Sequence, residues 1–258
     1  MIMTYMGIRQ QASNLNLKRK PVGDVVLRGA YSYHKNEIIY AEEEFEVWKD
    51  LKTTSHSFFS KLTSRVATGE LLSIYVDYQV NKEFIPQKVF IEKVMGTEVV
   101  TETYKFNDKS NLITYVHQSK TGNIEEKFTT TPKFTIASPC TATSCIYLKS
   151  KKEDTAGRNN YTLIQSFNNW SFEEKPKFKN IILSRVGLTA KAINIQGKNL
   201  QAVEYKIIEE FENPDLTLKN QKNSISAFVS RYITVPYMVK STDGIKVQIK
   251  YLNDLESD

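Results

Sequence analysis

The stretch "YSYHKNEIIYAEEEFEVW", residues 31–48, decides how the rest of the chain is to be understood. Large apolar and polar side chains alternate on both sides of Lys35 and Asn36. Period-two spacing marks strands, whose successive side chains point to opposite faces. Asn36 supplies turn chemistry between the two runs, so the segment is a β-hairpin. Extended back to Val25, the first strand carries Val25, Leu27, Gly29, Tyr31 and Tyr33 on one face and Val26, Arg28, Ala30, Ser32 and His34 on the other. On the returning strand Ile39, Ala41, Glu43, Phe45 and Val47 share a face, opposite Ile38, Tyr40, Glu42, Glu44, Glu46 and Trp48. The hairpin thus sets Arg28 and His34 on the side with several carboxylates, an arrangement also found on the solvated face of an ordinary sheet.

The same rhythm runs through the chain, in "ELLSIYVDYQV", "QKVFIEKV", "EVVTETYKF", "NLITYVHQS", "NIEEKFTTT", "TSCIYLKS", "NYTLIQSF", "KNIILSRVG", "LTAKAINIQG", "LQAVEYKIIEEFEN" and "IKVQIKYLNDL". These runs are rich in Val, Ile, Tyr, Phe and Thr and are divided by Asn, Gly, Asp, Lys or Pro, the pattern of antiparallel strands joined by hairpins. Residues 54–67, "TSHSFFSKLTSRVA", and 224–239, "SISAFVSRYITVPYMV", are expected to be helical, the second ending before Pro236. The fold expected is mostly β: an antiparallel barrel or curved half-barrel of about twelve strands with one or two short helices, because so long a sheet must curl to protect its edges. Residues 1–23 form a flexible N-terminal arm ending in a basic cluster, residues 24–258 a single β-rich domain, and residues 211–224 an exposed loop.

Composition narrows the function. In 258 residues, 40% hydrophobic and 25% charged content is that of a globular protein with a real core. The net charge of +6 comes from lysines spread along the chain, so no nucleic-acid partner is expected. No window is apolar enough for a transmembrane segment, and the start lacks an apolar leader, so the expectation is a cytoplasmic location or else a mature form from which a signal was removed. Cys140 and Cys145 lie close enough in sequence for a disulfide in an oxidising compartment, or are two reduced core thiols. No histidine is spaced to complete a metal site with them, and no dinucleotide, Walker, zinc-protease or nucleophile-elbow motif is present. Neither a metal nor a cofactor is expected.

Of the 35 Lys and Arg residues only seven are Arg, and Arg28, Arg65, Arg185 and Arg231 fall in or beside regular segments. The guanidinium fork suits a carboxylate or phosphate in a partly dry site. Strand faces that mix polar and aromatic groups, such as Ser73, Tyr75, Asp77 and Gln79, make an amphipathic pocket if they line a barrel. The ligand expected is an apolar small molecule with an anionic head, held by Arg28, Arg65 and Arg185 and lined by Tyr31, Tyr33, Tyr75 and Trp170. An isomerase, hydratase or cyclase in the same cavity, with His34, Asp77 and Tyr75 as acid and base, is the alternative. A protein-interaction module working through a strand edge or the 211–224 loop is the third.

The order of "AEEEFEVWKD", "GELLSIYVDYQVNKEFIPQKVFIEKV" and "ETYKF" resembles the strand pattern of lipocalin-like and glycolipid-binding half-barrel families, over roughly residues 25–210. The resemblance implies a curved antiparallel sheet around a lipid-sized cavity and apolar ligand binding, and it assigns no site residue.

Overall fold

The computed structural model describes residues 15–131, 133–149, 157–210, 224–230 and 235–255. The hairpin of residues 31–48 is its centre. Strands β1 (Asp24–Lys35) and β2 (Ile38–Lys49) pair with Arg28 opposite Glu46, Ala30 opposite Glu44 and Ser32 opposite Glu42. Asn36 and Glu37 take positive φ in the turn, as a two-residue hairpin loop that matches strand twist requires. Thirteen further strands follow: β3 (His56–Arg65), β4 (Leu71–Val80), β5 (Pro86–Met95), β6 (Glu98–Asn107), β7 (Leu112–Ser119), β8 (Gly122–Thr129), β9 (Phe134–Ile136), β10 (Arg158–Gln165), β11 (Lys177–Ile195), β12 (Lys198–Glu210), β13 (Ile225–Val229), β14 (Pro236–Lys240) and β15 (Ile245–Asp254). All belong to one sheet, ordered β8-β7-β6-β5-β4-β3-β2-β1-β15-β14-β13-β12-β11-β10-β9. Every pairing is antiparallel except the short parallel contact of β9 with β10.

The sheet curls strongly and does not close. β8 and β9, at its two ends, are not hydrogen-bonded to each other. Instead the β9 end is tucked inside. Phe134 of β9 packs on Phe106 of β6 with ring centroids 4.8 Å apart, Phe178 of β11 packs on Phe128 of β8 at 5.3 Å, and the Ile136 amide donates to the Tyr78 hydroxyl at 3.1 Å. The register places Ile136, Ile164 and Phe178 on one row, so this end presents its outer side to the inner side of β4–β8. The result is a rolled sheet that overlaps itself. Its inner side carries the main core, including Tyr31, Phe45, Phe58, Val76, Tyr78, Val89, Tyr104 and Tyr115. Phe45 lies directly over Gly29, where any Cβ would come within 2.5 Å of the ring.

The middle of the roll is filled by residues 137–149, a plug with two short 3-10 turns at Thr141–Thr143 and Ile146–Lys149. Cys145 packs with Ala227 and Val229, and Tyr147 with Tyr161, Ile181 and Leu183, so the plug is gripped by β10–β13. Cys140 and Cys145 both carry free, buried thiols.

Three local expectations are corrected. Residues 56–65 are β3, not helix: Phe58 and Leu62 face inward while Phe59, also fully buried, faces outward. Burial on both sides erases the apolar alternation that identifies a strand from sequence. Within 224–239, the described residues form β13 and β14, and their ladders to β12 and β15 override local propensity. Of the run 143–150, expected as a strand, the described residues 143–149 belong to the plug, because a continuous apolar stretch fits a buried turn segment as well as a strand. The loop expected at 211–224 falls almost wholly outside the described residues. A register shift between Val25 and Leu27 also moves Val25 to the outer side, beside Trp48.

Candidate functional site

Three places on the inner side of the roll gather chemistry. The first is Glu43, completely buried on β2 among apolar face-mates. Its carboxylate accepts hydrogen bonds from the Thr141 amide at 2.7 Å, the Ala142 amide at 3.1 Å and the Tyr33 hydroxyl. The side chain thus caps the first 3-10 turn and fastens the plug to the sheet. Burial raises the Glu43 carboxyl above the usual carboxylate range, opposed by these bonds. Burial, then the Glu43 charge, pushes the Tyr33 hydroxyl and the Cys140 thiol far up, and burial pushes Cys145 up to about 12. These groups are held protonated, which suits a structural anchor and not a thiol nucleophile.

The second place is the seam where the roll overlaps. Lys93 on β5 pairs with Glu102 on β6 at 3.2 Å and donates to the Asn168 carbonyl at 2.8 Å. Tyr115 on β7 donates to Glu102 at 2.9 Å and accepts from the Asn168 amide at 3.1 Å. Asn168, itself buried, receives the Glu173 and Glu174 amides, so one side chain shapes the 166–174 loop over the seam. His117 lies alongside, fully buried, with its ring 5.9 Å from that of Phe172 and no hydrogen-bond partner of ordinary geometry at either nitrogen.

Burial lowers the His117 pKa, Lys93 adds to the lowering, and Glu102 opposes it. A histidine harder to protonate when folded contributes stability that is full above its unfolded value of about 6.5 and declines as pH falls below it. His117→Phe, which keeps the packing on Phe172, is expected to remove that component. Urea midpoints from pH 7.5 to pH 5 should fall more steeply for the natural chain than for the variant, and parallel curves would refute this.

The third place is the mouth of the roll. β11 carries extra residues between Val186 and Lys191, with Gly187 at positive φ, and the distal part of its hairpin with β12 bends over the inner side. Ile195 and Leu200 join the core cluster that holds Met238 and Ile249. Beneath the hairpin tip lies a cleft of about 350 Å³ lined by Ile195, Leu200, Tyr237, Ile249 and Leu252, with Lys198 and Lys250 among its polar groups. Lys250 is also paired with Glu42 at 2.6 Å. A shallower hollow of about 590 Å³ opens between Ile225, Val239, Asp243 and Ile245.

The residues singled out from sequence are dispersed. Tyr31 and Tyr33 come together inside, Tyr31 donating to the Pro236 carbonyl at 2.6 Å. Arg28 lies on the outer side, bonded to Glu46 at 3.0 Å. Ser73, Tyr75, Asp77 and Gln79 also face outward, since their cross-strand partners include Lys61, Phe59 and Phe90. Asp77 is held by Arg19 at 2.6 Å. Arg65 is exposed, with Nη1 3.4 Å from the Gly69 carbonyl, while the Arg185 Nε donates to the Gly187 carbonyl at 3.0 Å. Trp170 is half-buried in the 166–174 loop, and Arg231 lies outside the described residues. His34 Nε2 bonds Ser32 Oγ at 2.9 Å and is remote in the sheet from Asp77 and Tyr75, three strands away. Glu43, Lys93 and Glu102 were missed. The available signal was a charge on an otherwise apolar period-two face: Glu43 among Ala41, Phe45 and Val47, Lys93 with Val89 and Ile91, Glu102 with Val100 and Tyr104.

Among the described residues no three His, Cys, Asp or Glu side chains gather as metal ligands, and no helix is long and apolar enough to cross a membrane. No family model and no curated protein matches the chain. Among solved structures it is similar to a β-barrel-like protein of the domain of unknown function DUF1849 from Brucella abortus, with 9% identity, a TM-score of 0.56, and coverage of 91% of this chain and 99% of that one. That likeness shows a shared barrel-like fold. A DUF1089 family protein from Pseudomonas aeruginosa matches with 11% identity over 78% of this chain and 91% of its own, at a TM-score of 0.35, too low for the two folds to be called the same.

Proposed function

We propose that the protein binds an apolar small molecule bearing an anionic head at the mouth of the roll. The observation that carries this reading is the cleft of about 350 Å³ beneath the β11–β12 hairpin tip, with Ile195, Leu200, Ile249 and Leu252 as apolar lining and Lys198 and Lys250 beside it. Its size falls in the range of small-ligand sites, and apolar walls with a few convergent polar groups are their usual chemistry. The two lysines supply the cationic contact that Arg28, Arg65 and Arg185 were expected to give.

The test uses 8-anilinonaphthalene-1-sulfonate, an apolar anion whose fluorescence rises on transfer from water. The natural chain is expected to bind it saturably. Leu200→Trp, which fills the cleft from its lid, is expected to weaken binding by about tenfold or more, the loss of roughly 1.4 kcal/mol or greater. Lys198→Glu should weaken it in a salt-dependent manner. Absence of saturable binding, or binding indifferent to Leu200→Trp in a folded variant, would overturn the reading.

A further inference from the structure

Residues 15–20 run across the outer side of β2–β5, bending at Lys18 and Arg19, without pairing to any strand. Their side chains alternate: Leu15 is buried, Leu17 and Arg19 half-buried, and Asn16, Lys18 and Lys20 exposed. Leu15 and Leu17 sit on a floor of Val25, Trp48, Phe59, Tyr75 and Phe90. Arg19 grips Asp77 with two nitrogens, Nε to Oδ2 at 2.6 Å and Nη2 to Oδ1 at 3.0 Å, and places its guanidinium 4.8 Å over the Phe59 ring. It also reaches Ser57 at 3.0 Å. The Lys18 amide donates to the Tyr75 hydroxyl at 3.3 Å, and the Lys18 ammonium pairs with Glu92 at 3.0 Å.

The alternation is one by which a sheet surface reads a peptide segment: every second side chain enters a site on the floor while the intervening ones stay in water. The receptor side has its own chemistry. Asp77 is 4% exposed on the outer side of a sheet, and Arg19 is the cation that neutralises it. A buried carboxylate flanked by aromatic rings selects a guanidinium, by a bidentate ion pair on one side and cation–π attraction on the other. The occupant is held largely by its side chains, with the Lys18 amide bonded to Tyr75, and it is joined to the sheet through Gly23. Gly23 sits at φ +88° where a Cβ would come 1.9 Å from the Lys49 carbonyl, so the chain can double back onto β2 there only through glycine. Lifting the segment breaks no strand pairing.

We propose that the outer side of β2–β5 is a docking groove for a segment of a partner protein with Leu-x-Leu-x-Arg chemistry, and that residues 15–20 occupy it in cis. A partner carrying this pattern competes with the chain's own segment for the Asp77 and Trp48 sites.

The test uses the full chain and a labelled peptide of residues 15–22, followed by fluorescence anisotropy. Leu15→Ser with Arg19→Ala unseats the segment, and Trp48 emission reports the exposure of the groove. The unseated chain is expected to bind the peptide about tenfold or more tightly than the natural chain, whose groove is filled. Adding Asp77→Asn, or using a peptide with Arg19→Ala, should remove that gain. Arg19→Gln alone, a milder change, should give the same ranking with a smaller difference. Equal affinity in natural and unseated chains, no binding to a folded unseated chain, or binding that ignores Asp77→Asn would overturn the proposal. So would an unseated chain that captures the segment of an intact copy, seen as a dimer in sedimentation, while ignoring the free peptide.

Discussion

Replacing Glu43 by Ala is expected to lower stability by about 3 kcal/mol or more and to loosen the plug while leaving most strands formed. The substitution leaves the Ala142 amide and the Tyr33 O–H without their acceptor in a site closed to water, and leaves the Thr141 amide only its second bond, to the Tyr33 hydroxyl oxygen at 3.0 Å. Each such orphan costs roughly 1–3 kcal/mol, so the two together match the effect of a severe core truncation. The urea midpoint measures the loss, and hydrogen exchange at residues 140–148 locates it. Glu43→Gln keeps one acceptor oxygen and should cost less. Its pH behaviour has a definite sign. Burial raises the Glu43 pKa, so the folded state holds this proton more tightly than the unfolded chain. The contribution is full below the ordinary value of about 4.5 and declines as pH rises through the folded value, and Glu43→Gln should lack that decline. An unchanged midpoint in Glu43→Ala would mean that the plug is held by apolar contacts alone.

Glu102→Ala should be the other severe variant. Its carboxylate answers both Lys93 and the Tyr115 hydroxyl, and its side chain is only 4% exposed. Removing one member of a buried pair strands the other charge, at a cost of about 3–5 kcal/mol; the partial exposure of Lys93 puts the expectation near the lower end. Lys93→Met combined with Glu102→Leu removes both charges and should be markedly less destabilising than Glu102→Ala. Urea midpoints of the two singles and the double give the coupling directly. A double variant as weak as Glu102→Ala would show that the seam depends on volume and not on the ion pair. Exchange in residues 166–174 should rise in Glu102→Ala, because Asn168 reaches the seam through Tyr115 and Lys93.

The strand content and curvature were legible because period-two alternation runs through most of the chain. That Arg28 shares a face with Glu42, Glu44 and Glu46 was legible from the alternation, whereas its pairing with Glu46 was not, because a register shift between Tyr33 and His34 displaces the count from the turn. What sequence alternation does not contain is the third dimension of the roll. Phe58 and Phe59 look like a helical or irregular pair until it is seen that residues 15–20 cover the outer side there. Tyr75 and Asp77 look like pocket residues because a polar face on a strand is the same pattern whether it lines a cavity or receives a peptide segment. The three-residue strand β9 is too short to show any period, and its place is set by β10 and Tyr78. The inner charges Glu43, Lys93 and Glu102 were visible as exceptions to apolar faces, but their partners come from far along the chain.

The strand order of the roll also sets its assembly in time. β1–β8 leave the ribosome first, β9 and the plug follow directly, and the strand that completes the centre of the sheet, β15 against β1, comes last. Until then the two halves of the sheet are not joined by any strand ladder. Each half is a meander whose neighbouring strands are consecutive in the chain and can zip locally, whereas the β1–β15 pair that unites them must wait for the last strand. The rate of the final closure is then set by that one long-range pairing, which is the slow kind of step in β folding.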